Sequence, residues 1–323
     1  MKILVISGFL GAGKTTFIKT MAENTGREFA ILENEYGSAG VDGDRLKSSI
    51  PGRQVNIWEM AEGCICCSMK GDFTASVLTI ANSVDPEFLV IEPTGVGMLS
   101  SIMNSLRQIE YERITLLAPV VIVDGLSFER YSAEYQELCR DQIASASLIV
   151  ISKMEQASMG EQEALRQKLR RWNPDAQITA EHYSTKDREW WAHLLETGYN
   201  GRILESRNQS TEELPDTFSI KDVSLESPEH LILLVNGIVH GEFGEIFRAK
   251  GCVRAGDHWF CFDTADSRYM ITGAEKGQGE KAVFIGKNIR RQSIRRYFLL
   301  STKMIRKGRD RGYMPMRNRT AIS

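Results

Sequence analysis

Over the first two thirds of the chain, short apolar runs alternate with stretches whose apolar positions recur every three or four residues. The runs Ile3 to Ile6, Phe29 to Leu32, Val55 to Trp58, Phe88 to Ile91, Leu116 to Val123, Ala146 to Ile151 and Gln177 to Ala180 read as strands. Phe17, Ile18 and Met21 predict a helix over 14–23, a second follows from Phe73 to Ala81, and Leu165, Leu169 and Trp172 predict a third from Gln162 to Trp172. Asn173-Pro174-Asp175 ends that third helix. Strands alternating with helices imply a mostly parallel sheet flanked by helices, with ligands beyond the carboxyl ends of the strands. Trp190 and Trp191 read as core or interdomain packing.

The pattern changes after residue 205. Residues 206–217 are polar and predict a linker. Beyond them come a strand near Phe218 to Leu225, a helix around Glu229 to Val239 and short strands at Gly251 to Val253, Trp259 to Phe262 and Ala282 to Ile285. The expected organisation is an α/β nucleotide domain over 1–205, the linker, a smaller α+β domain over 218–300 and a basic tail over 301–323.

Composition adds limits. The chain has 323 residues, 42% hydrophobic and 25% charged, enough for two cores. No run approaches the roughly 18 apolar residues of a membrane span, and the N-terminus enters a strand with no signal-peptide pattern, so a cytoplasmic protein without a membrane is expected. The formal charge of -2 hides a tail with seven Lys or Arg against one Asp, which reads as a solvated terminus rather than a nucleic-acid contact. Three of the six cysteines, Cys64, Cys66 and Cys67, are too crowded for an ordinary disulfide framework, and reduced thiols are expected. His258 and Cys261, with Cys252 nearby, offer a second metal site, but the two thiols lie on predicted strands and read as core residues.

The first strand must turn into the first helix at Gly8-Phe9-Leu10-Gly11-Ala12-Gly13-Lys14-Thr15-Thr16, which matches G-x-x-x-x-G-K-[ST]. Backbone N–H groups of such a loop close around nucleoside triphosphate phosphates, and the helix N-terminus adds partial positive charge. Lys14 is placed to reach the β and γ phosphates, and Thr15 to offer its hydroxyl to Mg²⁺. Glu92, ending an apolar strand, is a candidate for the Mg²⁺ shell or for the attacking water.

Three further segments carry chemistry. Glu33 to Asp42 is a polar, glycine-punctuated loop that includes Glu35. At Gly63-Cys64-Ile65-Cys66-Cys67 three soft thiols can converge on one ion if the backbone turns sharply; buried hydrophobic or redox roles are the alternatives. Ser152-Lys153-Met154-Glu155 stands where many GTPases carry Asn-Lys-x-Asp, whose Asp reads the guanine edge and whose Asn ties the loop to the phosphate loop. Lys153 is kept, Glu155 carries the carboxylate on an arm one methylene longer, and Ser152 is too short for all the contacts of an Asn amide.

In this order the segments Gly8 to Thr16, Asn34-Glu35-Tyr36-Gly37, Gly63 to Cys67, Glu92-Pro93-Thr94-Gly95 and Ser152 to Glu155 resemble the CobW-like family of P-loop GTPases, and Arg248-Ala249-Lys250-Gly251 and Phe284-Ile285-Gly286 extend the likeness to about residue 290. The resemblance implies a P-loop NTPase fold and a metallochaperone that binds Zn²⁺ or Co²⁺ at Cys64, Cys66 and Cys67, with Glu35 as a further ligand. It implies coupling of metal transfer to binding and hydrolysis of GTP, with Mg²⁺, and delivery to a client metalloprotein or a metal-cofactor pathway protein. A thiol-based redox activator and a low-turnover nucleotide-binding scaffold are the alternatives, and the sequence leaves a homo-oligomer open.

Overall fold

A computed structural model describes residues 1–33, 56–59, 70–201, 215–265, 268–275 and 280–299. The predicted strands of the first part become β1 (Lys2–Ser7), β2 (Phe29–Glu33), β3 (Asn56–Glu59), β4 (Phe88–Glu92), β5 (Thr115–Leu116), β6 (Val120–Asp124), β7 (Leu148–Ser152) and β8 (Gln177–Thr179). They form one sheet in the order β3-β2-β4-β1-β6-β7-β8, with β5 also on β1, and every described pair is parallel.

These strands are nearly continuous in apolar residues because both faces are covered. Ile3, Val5, Leu89, Ile91, Val121, Val123, Ile149 and Ile151 share one core with Phe73 and Val77 of α2 (Lys70–Ser83), Ile102 and Leu106 of α3 (Leu99–Arg107), and Leu165 and Leu169 of α6 (Met159–Trp172). The alternate residues Leu4, Ile6, Val90, Ile122 and Val150 share the other with Phe17, Ile18 and Met21 of α1 (Lys14–Thr25) and Trp191 and Leu194 of α7 (Arg188–Leu194). Between these helices in sequence lie α4 (Phe128–Glu134) and α5 (Gln136–Ser145). Trp191 is fully buried, with its ring centroid 5.1 Å from that of Phe17, so its role is core packing.

The expected single strand from Leu116 to Val123 is two. Pro119 has no N–H to give to the ladder. The chain detours at Leu117 and Ala118, where Thr197 O accepts from Ala118 N at 2.9 Å and Leu116 O from Tyr199 N at 2.9 Å.

The chain divides into two compact units between Pro215 and Asp216. The second holds β9 (Asp216–Lys221), β10 (Ser224–Leu225), α8 (Pro228–Val239), β11 (Glu245–Ala255), β12 (His258–Ala265), β13 (Arg268–Ala274), β14 (Lys281–Lys287) and a helix over 291–299. Its sheet runs β13-β12-β11-β14-β9, antiparallel throughout, with β10 parallel to β11. Leu231, Leu234, Val235 and Ile238 of α8 pack on Ala249, Val253, Phe262 and Phe284. The strands are longer than the apolar runs suggest because Arg248, Lys250 and Arg254 interrupt the pattern while the ladder continues through them. The β11–β12 turn spans only Gly256 and Asp257, and Gly256 takes a φ of 63°.

One expectation is corrected here. Cys252 and Cys261 face each other across β11 and β12 and form a disulfide, with Cα atoms 4.0 Å apart. They are therefore neither reduced thiols nor ligands of a second metal site with His258. Direct opposition of two antiparallel strands supplies the short separation a disulfide needs.

Asn173, which ends α6, is more than a stop signal. Its amide donates to Ile143 O and Ala146 O at 2.8 Å each, and its Oδ1 accepts from Asp175 N and Ala176 N. It thereby adds a donor to the carbonyls at and just past the end of α5. Replacing Asn173 by Ala is expected to cost about 2–3 kcal/mol, since buried backbone groups lose their partners. A fall in the urea midpoint at unchanged slope measures this, and an unaltered midpoint would refute it.

Candidate functional site

Gly13 caps the N-terminus of α1, and the loop from Gly8 to Gly13 lies directly beyond β1. Gly8 has a φ of 141°, and a Cβ there would stand 2.2 Å from Ile122 O, so no other residue fits. A loop that aims its N–H groups at phosphates turns its carbonyls back toward the protein, where they need donors.

Those donors are present. Lys14 Nζ, buried, donates to Gly8 O at 3.0 Å and reaches Phe9 O at 3.5 Å. Lys153 Nζ donates to Gly11 O at 2.6 Å, and Ser152 Oγ donates to Ala12 O at 2.7 Å. Phe9 of the loop packs against Tyr131, with ring centroids 4.0 Å apart and planes tilted by 37°. Thr16 is exposed in the first turn of α1.

Glu92 and Thr15 meet, although 77 residues separate them. Thr15 Oγ1 lies 3.0 Å from Glu92 Oε1 and 3.1 Å from Oε2. Parallel pairing of β1 with β4 brings the strand-end carboxylate beside the first turn of α1. Two hard oxygen donors at a phosphate loop suit Mg²⁺ rather than a soft ion.

The segment after Glu92 lies on the loop as well. A Cβ on Gly95 would sit 2.4 Å from Leu10 N, so the two backbones touch. Gln142 of α5, which the sequence reading passes over, donates to Gly95 O at 3.3 Å and Gly97 O at 3.0 Å from a buried position. The adjacent Asp141 accepts from Ser100 N at 3.1 Å near the start of α3, and burial raises its carboxyl above the usual range against those hydrogen bonds. The sequence carries no local signal for this role, since the partners lie 41 to 47 residues away.

The base-reading candidates gather beyond β7. The shorter Ser152 side chain reaches the phosphate loop directly, a tie that the sequence reading doubted. Lys153 has a φ of 63°, uncommon for a residue with a side chain, and its ammonium is held by Gly11 O and by Asp124 Oδ2 at 2.7 Å. Asp124, at the end of β6, is buried and also accepts from Leu126 N at 3.1 Å. It belongs with the candidates; its place at a strand end was visible in the sequence, but its partner was not. Glu155 is half exposed, with Oε1 3.3 Å from His182 Nε2. The Tyr183 phenol beside it is pushed up, first by burial and then by the Glu155 charge.

Glu35, Cys64, Cys66 and Cys67 lie outside the described residues, as does the basic tail. The strands that lead to them are described. Glu33 at the end of β2 is in register with Glu92 on one side and with Glu59 at the end of β3 on the other. The strand ends that precede both motifs in sequence therefore stand in the row that holds Glu92. Among the described residues no group of three or more His, Cys, Asp or Glu is arranged to hold a metal ion, and no helix is long and apolar enough to cross a membrane.

Over 185 residues, 48% of this chain and 49% of the relative, the sequence is 28% identical to a zinc chaperone CobW of Pseudomonas aeruginosa. It is 31% identical over 195 residues, 59% of this chain and 57% of the relative, to the zinc chaperone YeiR of Escherichia coli. A zinc-regulated GTPase metalloprotein activator 1 of Dictyostelium discoideum is 23% identical over 78% of this chain and 62% of its own length. The chain thus spans about half the length of the first two relatives. Residues 2–180 match the model of the CobW/HypB/UreG nucleotide-binding domain and residues 217–299 that of the cobalamin synthesis protein cobW C-terminal domain, so the chain belongs to the CobW-like P-loop family.

Proposed function

We propose that this protein is a GTP-hydrolysing metallochaperone that carries Zn²⁺, with Co²⁺ as the other candidate cargo, to a client metalloprotein or metal-cofactor pathway protein in the cytoplasm. The observation that carries the nucleotide half is the meeting of Thr15 and Glu92 at the start of α1. The cargo half is supported by the Cys64, Cys66 and Cys67 thiols and by relatives named as zinc chaperones.

In this reading Gly8, Gly11, Ala12 and Gly13 present backbone N–H groups to the phosphates, together with Thr16 at the following turn. Lys14 leaves the carbonyls of Gly8 and Phe9 for the β and γ phosphates and stabilises charge that develops on the transferred group. Thr15 and Glu92 would hold Mg²⁺, which would supply positive charge against that developing on the phosphates. Glu92 also orients water toward the γ-phosphate. Ser152 and Lys153 hold the base-side loop to the phosphate loop, and Glu155 accepts from the guanine edge.

The cargo ion is held by the three thiolates, with Glu35 as a further ligand. Three thiolates with an exchangeable fourth position suit release to a client. The register of Glu33 and Glu59 with Glu92, at the strand ends that precede the two motifs in sequence, supports a coupling between the γ-phosphate and the metal. Such coupling is reciprocal: a tenfold effect of nucleotide on metal affinity, about 1.4 kcal/mol, equals that of metal on nucleotide affinity.

Two measurements test the halves separately. Lys14→Ala is expected to lower GTP turnover about 100-fold or more, read as phosphate release at saturating GTP; wild-type rates in the variant would remove Lys14 from the chemistry. Zinc titrations with a non-hydrolysable GTP analogue and with GDP are expected to differ about tenfold in affinity, and Cys66→Ser to weaken both. Equal affinities in the two nucleotide states would end the coupling, and an unchanged variant would end the thiol site.

A further inference from the structure

The carboxylate in the base-reading loop belongs to a glutamate, whose arm has one more rotatable bond than the aspartate common at that position. A longer, half-exposed side chain loses more conformational freedom when it must hold one geometry. Unless something holds it, part of the gain from binding a base edge is spent on ordering the arm. His182 is placed to remove that cost.

Residues Tyr183–Thr185 form a short helical turn just beyond β8, the strand beside β7 in the sheet. His182 and Glu155 therefore stand at the carboxyl ends of adjacent parallel strands, and His182 Nε2 lies 3.3 Å from Glu155 Oε1. The ring is fixed from its other side. Ser184 N donates to His182 Nδ1 at 3.3 Å, and Ser184 Oγ lies 2.6 Å from the same nitrogen. A backbone N–H can only donate, so Nδ1 accepts and Nε2 carries the proton aimed at Glu155.

The ring has solid support. It stacks on Tyr183 with centroids 4.4 Å apart and planes 26° from parallel. Tyr183 is buried and meets Phe17 of α1 edge-on at 5.0 Å, and Thr185 Oγ1 donates to His182 O at 2.8 Å. A path of packed rings thus runs from the phosphate-loop helix to the imidazole.

We propose that His182 is a positioning residue for base recognition: its Nε2–H holds Glu155 in the conformation that accepts from a guanine edge. An ionised carboxylate has about four acceptor positions, so one bond from His182 leaves enough for the two donors of guanine. Adenine offers no matching pair of donors. The residue therefore raises the preference for guanine over adenine without touching the phosphates or the γ-phosphoryl chemistry. This rests on the guanine reading of the site given above.

The test is equilibrium competition of GDP and ADP against a fluorescent guanine nucleotide on the full chain. It uses wild type, His182→Ala, His182→Gln, Glu155→Asp and the double variant Glu155→Asp with His182→Ala, with thermal unfolding confirming that each is folded. Wild type is expected to prefer GDP. His182→Ala is expected to weaken GDP about fivefold and leave ADP unchanged, and His182→Gln, which keeps a donor, to recover most of the loss. In the Glu155→Asp background the shorter arm does not reach His182, so removing the imidazole is expected to change nothing further. A selective wild type whose GDP preference survives His182→Ala would overturn the proposal alone, as would an equal loss of GDP and ADP or an undiminished effect in the Glu155→Asp background. A wild type without base preference would overturn the guanine reading, and the role of His182 with it.

Discussion

Everything at the nucleotide end of this protein depends on how the carbonyls of one loop are satisfied. A backbone segment cannot point its N–H groups at an anion without pointing carbonyls elsewhere, and buried carbonyls need donors. Here the donors come from distant places in the chain: Lys14 within the loop's own helix, and Lys153 and Ser152 from beyond β7. The same bonds that stabilise the loop fix the segment carrying Glu155. The Gly8 to Gly13 loop and the Ser152 to Glu155 segment therefore share one framework.

The parallel sheet supplies that framework through register. Because β1, β2, β3, β4, β6 and β7 run in one direction, the ends of these strands deliver Gly8, Glu33, Glu59, Glu92, Asp124 and Ser152 to one edge. The two-sided core makes this edge stiff, since odd and even residues of β1, β2, β4, β6 and β7 are buried in different clusters on the two faces. A site built from strand ends inherits that stiffness, whereas the contacts of Gln142 and Asp141 tie the loop after Glu92 to helices on one face of the sheet.

The second unit is built on different principles. Its antiparallel sheet has one face packed on α8 and the helix over 291–299, and its strands carry charged side chains on alternate positions. The alternation of Arg248, Lys250, Cys252 and Arg254 concealed a single strand of eleven residues, of which only a short central piece was legible. The disulfide between Cys252 and Cys261 was hidden for a related reason, because two cysteines nine apart say nothing of register until the hairpin turn at Gly256 and Asp257 is known.

What the sequence determined by itself is the set of local patterns: the Gly8 to Thr16 loop, the apolar strands with their helices, the carboxylate at Glu92 and the cysteine triplet at Cys64 to Cys67. Each is written in neighbouring residues, so spacing alone reveals it. Only the tertiary structure decided that Ser152 ties the loops together despite its short side chain, that Asp124 anchors Lys153, that Gln142 grips the segment after Glu92 and that His182 faces Glu155. The partners in those contacts are separated by 27 to 140 residues and meet because strand order brings them to one edge, a relation that no local pattern encodes.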